Sequence, residues 1–126
     1  MKYFLINILF SFLVITHFTG CSKKVDDNIL LAAHKAVKNG AAIIDVRTYK
    51  EYKRHHITNA INIPIQELVK SISRVPKNRV LVVYCRTGSR SSVAADILTK
   101  NGYQVYDVAT ESEYNREIII PTKNQN

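Results

Sequence analysis

Six consecutive residues, Cys85-Arg86-Thr87-Gly88-Ser89-Arg90, bring together a thiol, two guanidinium groups and a glycine. The nucleophilic form of cysteine is the thiolate, and nearby positive charge favours it. Gly88 permits backbone angles that a β-carbon would penalise. Successive N–H groups in such a loop can turn inward as an anion-binding nest. Thr87, Ser89 and Ser91 offer hydroxyl donors. A helix opening at the end of the loop adds unsatisfied N–H groups and the positive end of its dipole. The Cys85 pKa is therefore expected to be depressed, with Arg86 and Arg90 orienting a small anion beside the nucleophile. An inert core cysteine requires none of these neighbours. A P-loop would end in Gly-Lys-Ser/Thr, which this loop lacks.

Such a loop needs a strand to end and a helix to begin. Arg79 to Tyr84 is the strongest strand signal in the chain, and Val93, Ala94, Ile97 and Leu98 share one face of the helix that follows, up to Asn101-Gly102. Earlier, Asp26 or Asp27 caps a helix through about Lys38, with Ile29, Leu30, Ala33 and Val37 at helical spacing and Gly40 at its stop. Ala41 to Val46 reads as a buried strand. Thr48-Tyr49-Lys50-Glu51 has the spacing of a capping box. Ala60 to Ile63 predicts a short strand, Pro64 opens a helix to about Ser71–Ser73, and Tyr103 to Val108 gives a last strand before a short polar helix. Strands alternating with helices predict a parallel α/β sheet, whose ligands sit beyond the carboxyl ends of its strands. Cys85 stands at such an end.

The chain has 126 residues, 46% of them hydrophobic, and a formal net charge of +8. That length suits one domain. The basic residues are scattered and no stacking aromatics alternate with them, so the surface reads as solvated and nucleic acid is not expected as a partner. No metal-ligand spacing and no cofactor motif occurs, and a monomer is expected. The two cysteines, Cys21 and Cys85, stand in such different contexts that a shared disulfide is not expected. Residues 1–20 open with Lys2 and continue through an apolar stretch to Thr19-Gly20, the pattern of an export signal. Small residues directly before Cys21 resemble the lipobox of bacterial lipoproteins, although Phe18 stands where leucine is usual. That resemblance implies lipidation of Cys21 and anchoring at the periplasmic face of a membrane. Ser22 after the cysteine implies the outer membrane in a diderm host. An uncleaved anchor is the alternative, with a run short of the ~20 apolar residues of a span. Residues 21–27 then read as a polar tether, 28–120 as the domain and 121–126 as a disordered tail.

With these features in place, the chain resembles the rhodanese family. Cys85-Arg86-Thr87-Gly88-Ser89-Arg90-Ser91 matches its Cys-Arg-x-Gly-x-Arg-Ser loop at every fixed position. Ile44-Asp45-Val46-Arg47, Glu51-Tyr52, His56-Ile57, Ala60, Asn62-Ile63-Pro64 and Asn101-Gly102-Tyr103 follow the family's other stations in order. In size it is similar to the small exported members of the phage-shock type. The resemblance implies a five-stranded parallel sheet flanked by helices on both faces. It also implies thiosulfate sulfurtransferase chemistry, in which Cys85 takes a sulfane sulfur from an anionic donor such as thiosulfate and passes it to cyanide or a thiol. Backbone N–H groups from Arg86 to Arg90 would cradle the persulfide, and Asp45 and Arg47 would brace the loop. A structural role is expected for His56, because transfer from a thiolate needs no base. His55 and Asn59 replace usual glycines, and Val108-Ala109-Thr110-Glu111-Ser112 stands where the family has a Gly-Gly turn and a tryptophan. Cysteine phosphatases place five residues between cysteine and arginine. Only four separate Cys85 from Arg90 here, which leaves room for one sulfur atom. A non-catalytic binding or persulfide-carrier module is the alternative from another class, and disulfide exchange lacks its Cys-x-x-Cys pair.

Overall fold

A computed structural model describes residues 23–119. Residues 1–20, read as an export signal, Cys21 and the tail at 121–126 lie outside these residues. Among them run β1 (Ala42–Asp45), β2 (Ile61–Asn62), β3 (Leu81–Cys85) and β4 (Val105–Thr110), with α1 (Asp27–Lys38), α2 (Tyr49–Arg54), α3 (Ser89–Lys100) and α4 (Glu111–Tyr114). The strands form one sheet in the order β2-β1-β3-β4, all neighbours parallel. From β1 the chain moves outward to β2, then returns to place β3 on the other side of β1. The switch point lies between β1 and β3, where open α/β sheets bind ligands. Asp45 ends β1 and Cys85 ends β3 at this point.

Alternation along the strands divides the core in two. Ile43, Val82, Tyr84 and Val108 pack with Leu30 and Ala33 of α1. Ile44, Val83 and Cys85 pack with Ala94 and Leu98 of α3. Burial of each such leucine stabilises the fold by roughly 1.5–3 kcal/mol. Local chemistry sets the boundaries. The Asp26 side chain accepts from the Asn28 N–H at 2.8 Å and caps α1. Thr48 and Glu51 form the expected capping box of α2.

Three expectations are corrected. Four strands are present among the described residues, not five. Before α1, the main-chain N–H and carbonyl of Val25 are held by the side chains of Glu113 and Arg116 instead of by a ladder. The segment after Pro64 makes no α-helix. Its bonds run mostly from residue i+3 back to i, as from Glu67 to Pro64 and Leu68 to Ile65, ending in a 3-10 turn at Ile72–Arg74. The Ile65 N–H is drawn away to Val46 O, and buried Leu68 and Val75 pin the segment down. Finally, the buried face of α3 carries Ser91, Ala94 and Leu98, leaving Val93 exposed.

Candidate active site

The β3–β4 ladder shifts register near its carboxyl end: Val83 pairs with Asp107 and Cys85 with Thr110, so β4 carries one extra residue. Such a bulge re-aims the backbone beside a site. Ala109 takes φ +59° within it, a left-handed conformation usually left to glycine. Its N–H is held by Asp107 Oδ1 at 2.9 Å. This is the stretch that lacks the family's Gly-Gly turn, and an alanine supplies the turn here. Asn59, at another glycine station, also has positive φ (+64°), which asparagine tolerates. His55 is extended, so no glycine is required there.

Gly88, the N-cap of α3, has φ +96°. A β-carbon on it would lie 3.1 Å from Ala109 Cβ and 3.2 Å from Lys23 Cβ. Gly88→Ala is therefore expected to cost about 1–3 kcal/mol in urea denaturation. It should also slow iodoacetamide alkylation of Cys85 at neutral pH, because the loop must shift.

The Gly88 N–H donates to Cys85 Sγ at 3.1 Å. Burial, at 1% exposure, pushes the thiol pKa up; hydrogen bonds from the Ser91 N–H and hydroxyl and the Thr87 and Gly88 N–H groups outweigh it, and the net direction is down. The Ser91 hydroxyl also faces Gly88 O at 3.1 Å and Ala109 O at 3.4 Å. The sulfur thus lies in an apolar core while the Gly88 amide of its loop points at it.

The two arginines part company. Arg86 is exposed. Arg90, expected to orient an anion, instead closes a two-pronged pair with Glu51, at 2.8 Å (Nη1–Oε2) and 2.9 Å (Nη2–Oε1). The same Glu51 accepts from the Thr48 N–H and hydroxyl at 2.8 and 2.9 Å. The Arg90 guanidinium, against opposing burial and helped by Thr48, holds the Glu51 carboxyl well below the usual carboxylate range. Its stabilisation is complete above the unfolded value of about 4.3 and is lost as pH falls through the lower folded value. Glu51→Gln is expected to cost about 1 kcal/mol at neutral pH, a difference that vanishes in strong acid. The substitution also uncovers the charge of Arg90, which interacts favourably with Cys85. Alkylation of Cys85 at neutral pH should therefore quicken even as stability falls.

At the end of β1, Asp45 is fully buried. Arg47 Nη2 and Nε reach its carboxylate at 2.7–3.1 Å, and the Tyr84 hydroxyl donates to it at 2.7 Å. Arg47 also donates to His55 O at 2.7 Å, and Tyr84 Oη accepts from the Ile57 N–H at 3.1 Å. Asp45 and Arg47 thus brace the 55–57 segment and the residue before Cys85, not the Cys85 loop itself. Burial and the Asp45 hydrogen bond push the Tyr84 phenol up, so it stays protonated as a donor. Tyr84, Glu51 as the partner of Arg90, and Glu111 escaped sequence reasoning. For Tyr84, the signal was a tyrosine in an otherwise aliphatic strand. His55 Nδ1 lies 2.8 Å from Glu111 Oε1, linking two stretches that depart from the family pattern. His56 stacks on Tyr52 with ring centroids 3.8 Å apart, and its Nδ1–H donates to the Tyr52 carbonyl at 2.9 Å. A cavity of about 460 Å³, lined in part by Asn78, Arg79 and Tyr103, lies at the opposite end of the sheet, away from the thiol.

A single α/β domain with a cysteine in an amide-lined loop at the carboxyl edge of its sheet defines the class. The rhodanese-like domain family matches residues 30–111, and the chain belongs to it. Thiosulfate sulfurtransferase PspE of Escherichia coli is 44% identical over 62 residues, which cover 48% of this chain and 60% of that protein. A sulfurtransferase of Allochromatium vinosum is 32% identical over 77 residues, covering 61% of this chain and 72% of that one. Among solved structures, the rhodanese-related protein of Thermoplasma volcanium superposes with a TM-score of 0.60 at 28% identity, covering 71% of this chain and 93% of that chain.

Proposed function

We propose that the protein is a sulfurtransferase that carries sulfane sulfur as a persulfide on Cys85. The carrying observation is the Gly88 N–H donating at 3.1 Å to a buried thiol at the carboxyl end of β3, in a loop that holds the thiol pKa down against burial. With thiosulfate, the Cys85 thiolate attacks the outer sulfur, the S–S bond breaks, and sulfite leaves with its electron pair. The persulfide is itself anionic and falls to the same donors. A thiolate or cyanide then attacks the terminal sulfur, giving a new persulfide or thiocyanate and returning the Cys85 thiolate. No proton transfer is needed, in keeping with a His56 committed to Tyr52. The near-complete burial of Cys85 favours small donors over bulky ones. Relatives named as sulfurtransferases support the reading.

Export and a lipid anchor on Cys21 belong to the same proposal. Intact mass spectrometry after thiosulfate treatment tests the chemistry. The expected result is one added sulfur, removable by cyanide. No addition would overturn the reading. Cys21→Ala should release the protein from membranes if the anchor reading holds.

A further inference from the structure

Residues 23–25, just before α1, fall in the stretch read from the sequence as a polar tether. Instead they form a strap docked on the domain. Val25 is 5% exposed. Its N–H donates to Glu113 Oε2 at 2.9 Å, and its carbonyl accepts from Arg116 Nη2 at 2.9 Å. Arg116 is itself fixed by Asp27 at 2.8 Å and Glu113 at 3.2 Å. Both main-chain groups of Val25 are thus clamped by the segment that follows β4. Two residues earlier, the Lys23 N–H donates to Thr87 O at 3.5 Å. The Lys23 ammonium lies 3.5 Å from Asp107, whose other oxygen holds the Ala109 N–H. Lys23 Cβ and Ala109 Cβ close over Gly88.

Thr87 O and the Gly88 N–H are the two ends of one peptide unit. The oxygen faces the strap and the N–H faces the Cys85 sulfur. Because that unit is planar and rigid, holding one end aims the other. A donor on the oxygen also polarises the N–H at the far end and strengthens its bond to sulfur. We propose that the Lys23–Val25 strap is a positioning element of the active site, in which the Lys23 N–H holds the Thr87–Gly88 peptide so that the Gly88 N–H points at Cys85. The bond from Lys23 is long for a hydrogen bond, and the Val25 clamp keeps it in place. The strap acts through the loop and touches no reacting atom. Its relevance to sulfur transfer rests on the reading of Cys85 as the sulfur carrier.

The test uses Arg116→Met and the double variant Glu113→Gln/Arg116→Met in the full-length chain. Neither residue belongs to the Cys85 loop. Trypsin reports on the strap: the Lys24–Val25 bond is protected while Val25 is clamped and becomes cleavable once it is free. Alkylation of Cys85 by iodoacetamide, followed across pH by peptide mass spectrometry, reports the thiolate. Release of the strap is expected to raise the midpoint, so that the rate near neutral pH falls roughly three- to tenfold while the rate at high pH is unchanged. A freed strap with a wild-type pH profile would overturn the proposal, as would equal trypsin cleavage in the wild-type chain. If the double variant lacks a cooperative unfolding transition, Arg116→Met alone decides. The readout does not involve sulfur transfer. A shifted profile in a protein that takes up no sulfur would leave the strap's role standing and remove the function proposed above.

Discussion

Replacing Cys85 with alanine is expected to reduce uptake of sulfane sulfur to background while the domain stays folded. Cys85 packs with Ile44, Val46 and Val83, so the substitution leaves a small cavity. Loss of one buried sulfur costs on the order of 1–2 kcal/mol, less than the ~5–15 kcal/mol that stabilise a typical domain. The amides of Thr87, Gly88 and Ser91 remain but have no nucleophile to act on. Cys85→Ser separates shape from chemistry. It preserves the packing and offers a group that does not ionise near neutral pH, so it too should fail to acquire sulfur. Intact mass spectrometry reads the loss of the added sulfur, and urea denaturation reads the fold. Sulfur uptake by a folded Cys85→Ala protein would remove Cys85 from the mechanism.

The second large effect is on stability. Arg47→Met is expected to destabilise the domain by about 3–5 kcal/mol. It leaves the fully buried Asp45 carboxylate with the Tyr84 hydroxyl and the residue 47 N–H but no countercharge. It also strips His55 O of its donor. Removal of both charges should hurt less than the two single losses combined. A buried ion pair replaced by apolar groups loses its attraction and its desolvation cost together. In the cycle of Arg47→Met, Asp45→Ala and the double variant, urea denaturation should give a coupling of about 1–3 kcal/mol. Additive losses would mean that Asp45 and Arg47 act independently, against the bonds at 2.7–3.1 Å between them.

These two predictions differ in how far the sequence anticipated them. The strand-loop-helix unit around Cys85 was readable because all its determinants are local. An aliphatic run, a glycine and a helical face lie within about twenty residues and act through nearest neighbours and period. The cap at Asp26 and the capping box at Thr48–Glu51 were readable for the same reason. Asp45 and Arg47, two residues apart, were read together as a brace, and the two do pair, at 2.7 Å. Tyr84 as its third member was not, because that contact spans 39 residues of chain. After Pro64, local helix signals lost to the pull of Val46 O and two buried anchors.

Long-range packing also decided where the charges went. Sequence alone placed Arg90 beside Cys85 and left both arginines open to an anion. The fold brought Glu51 across 39 residues to occupy Arg90 and left Arg86 exposed. It brought Lys23 over Gly88 and turned part of a presumed tether into a clamped strap. By itself the sequence determined the thiol, its loop and the parallel α/β frame, because spacing along the chain encodes local backbone geometry. Only the tertiary structure decided which charges are neutralised, which amides reach the sulfur and what presses on the loop from outside. Those outcomes depend on groups distant in the chain meeting in a low-dielectric interior, where a single partner changes the sign of an effect.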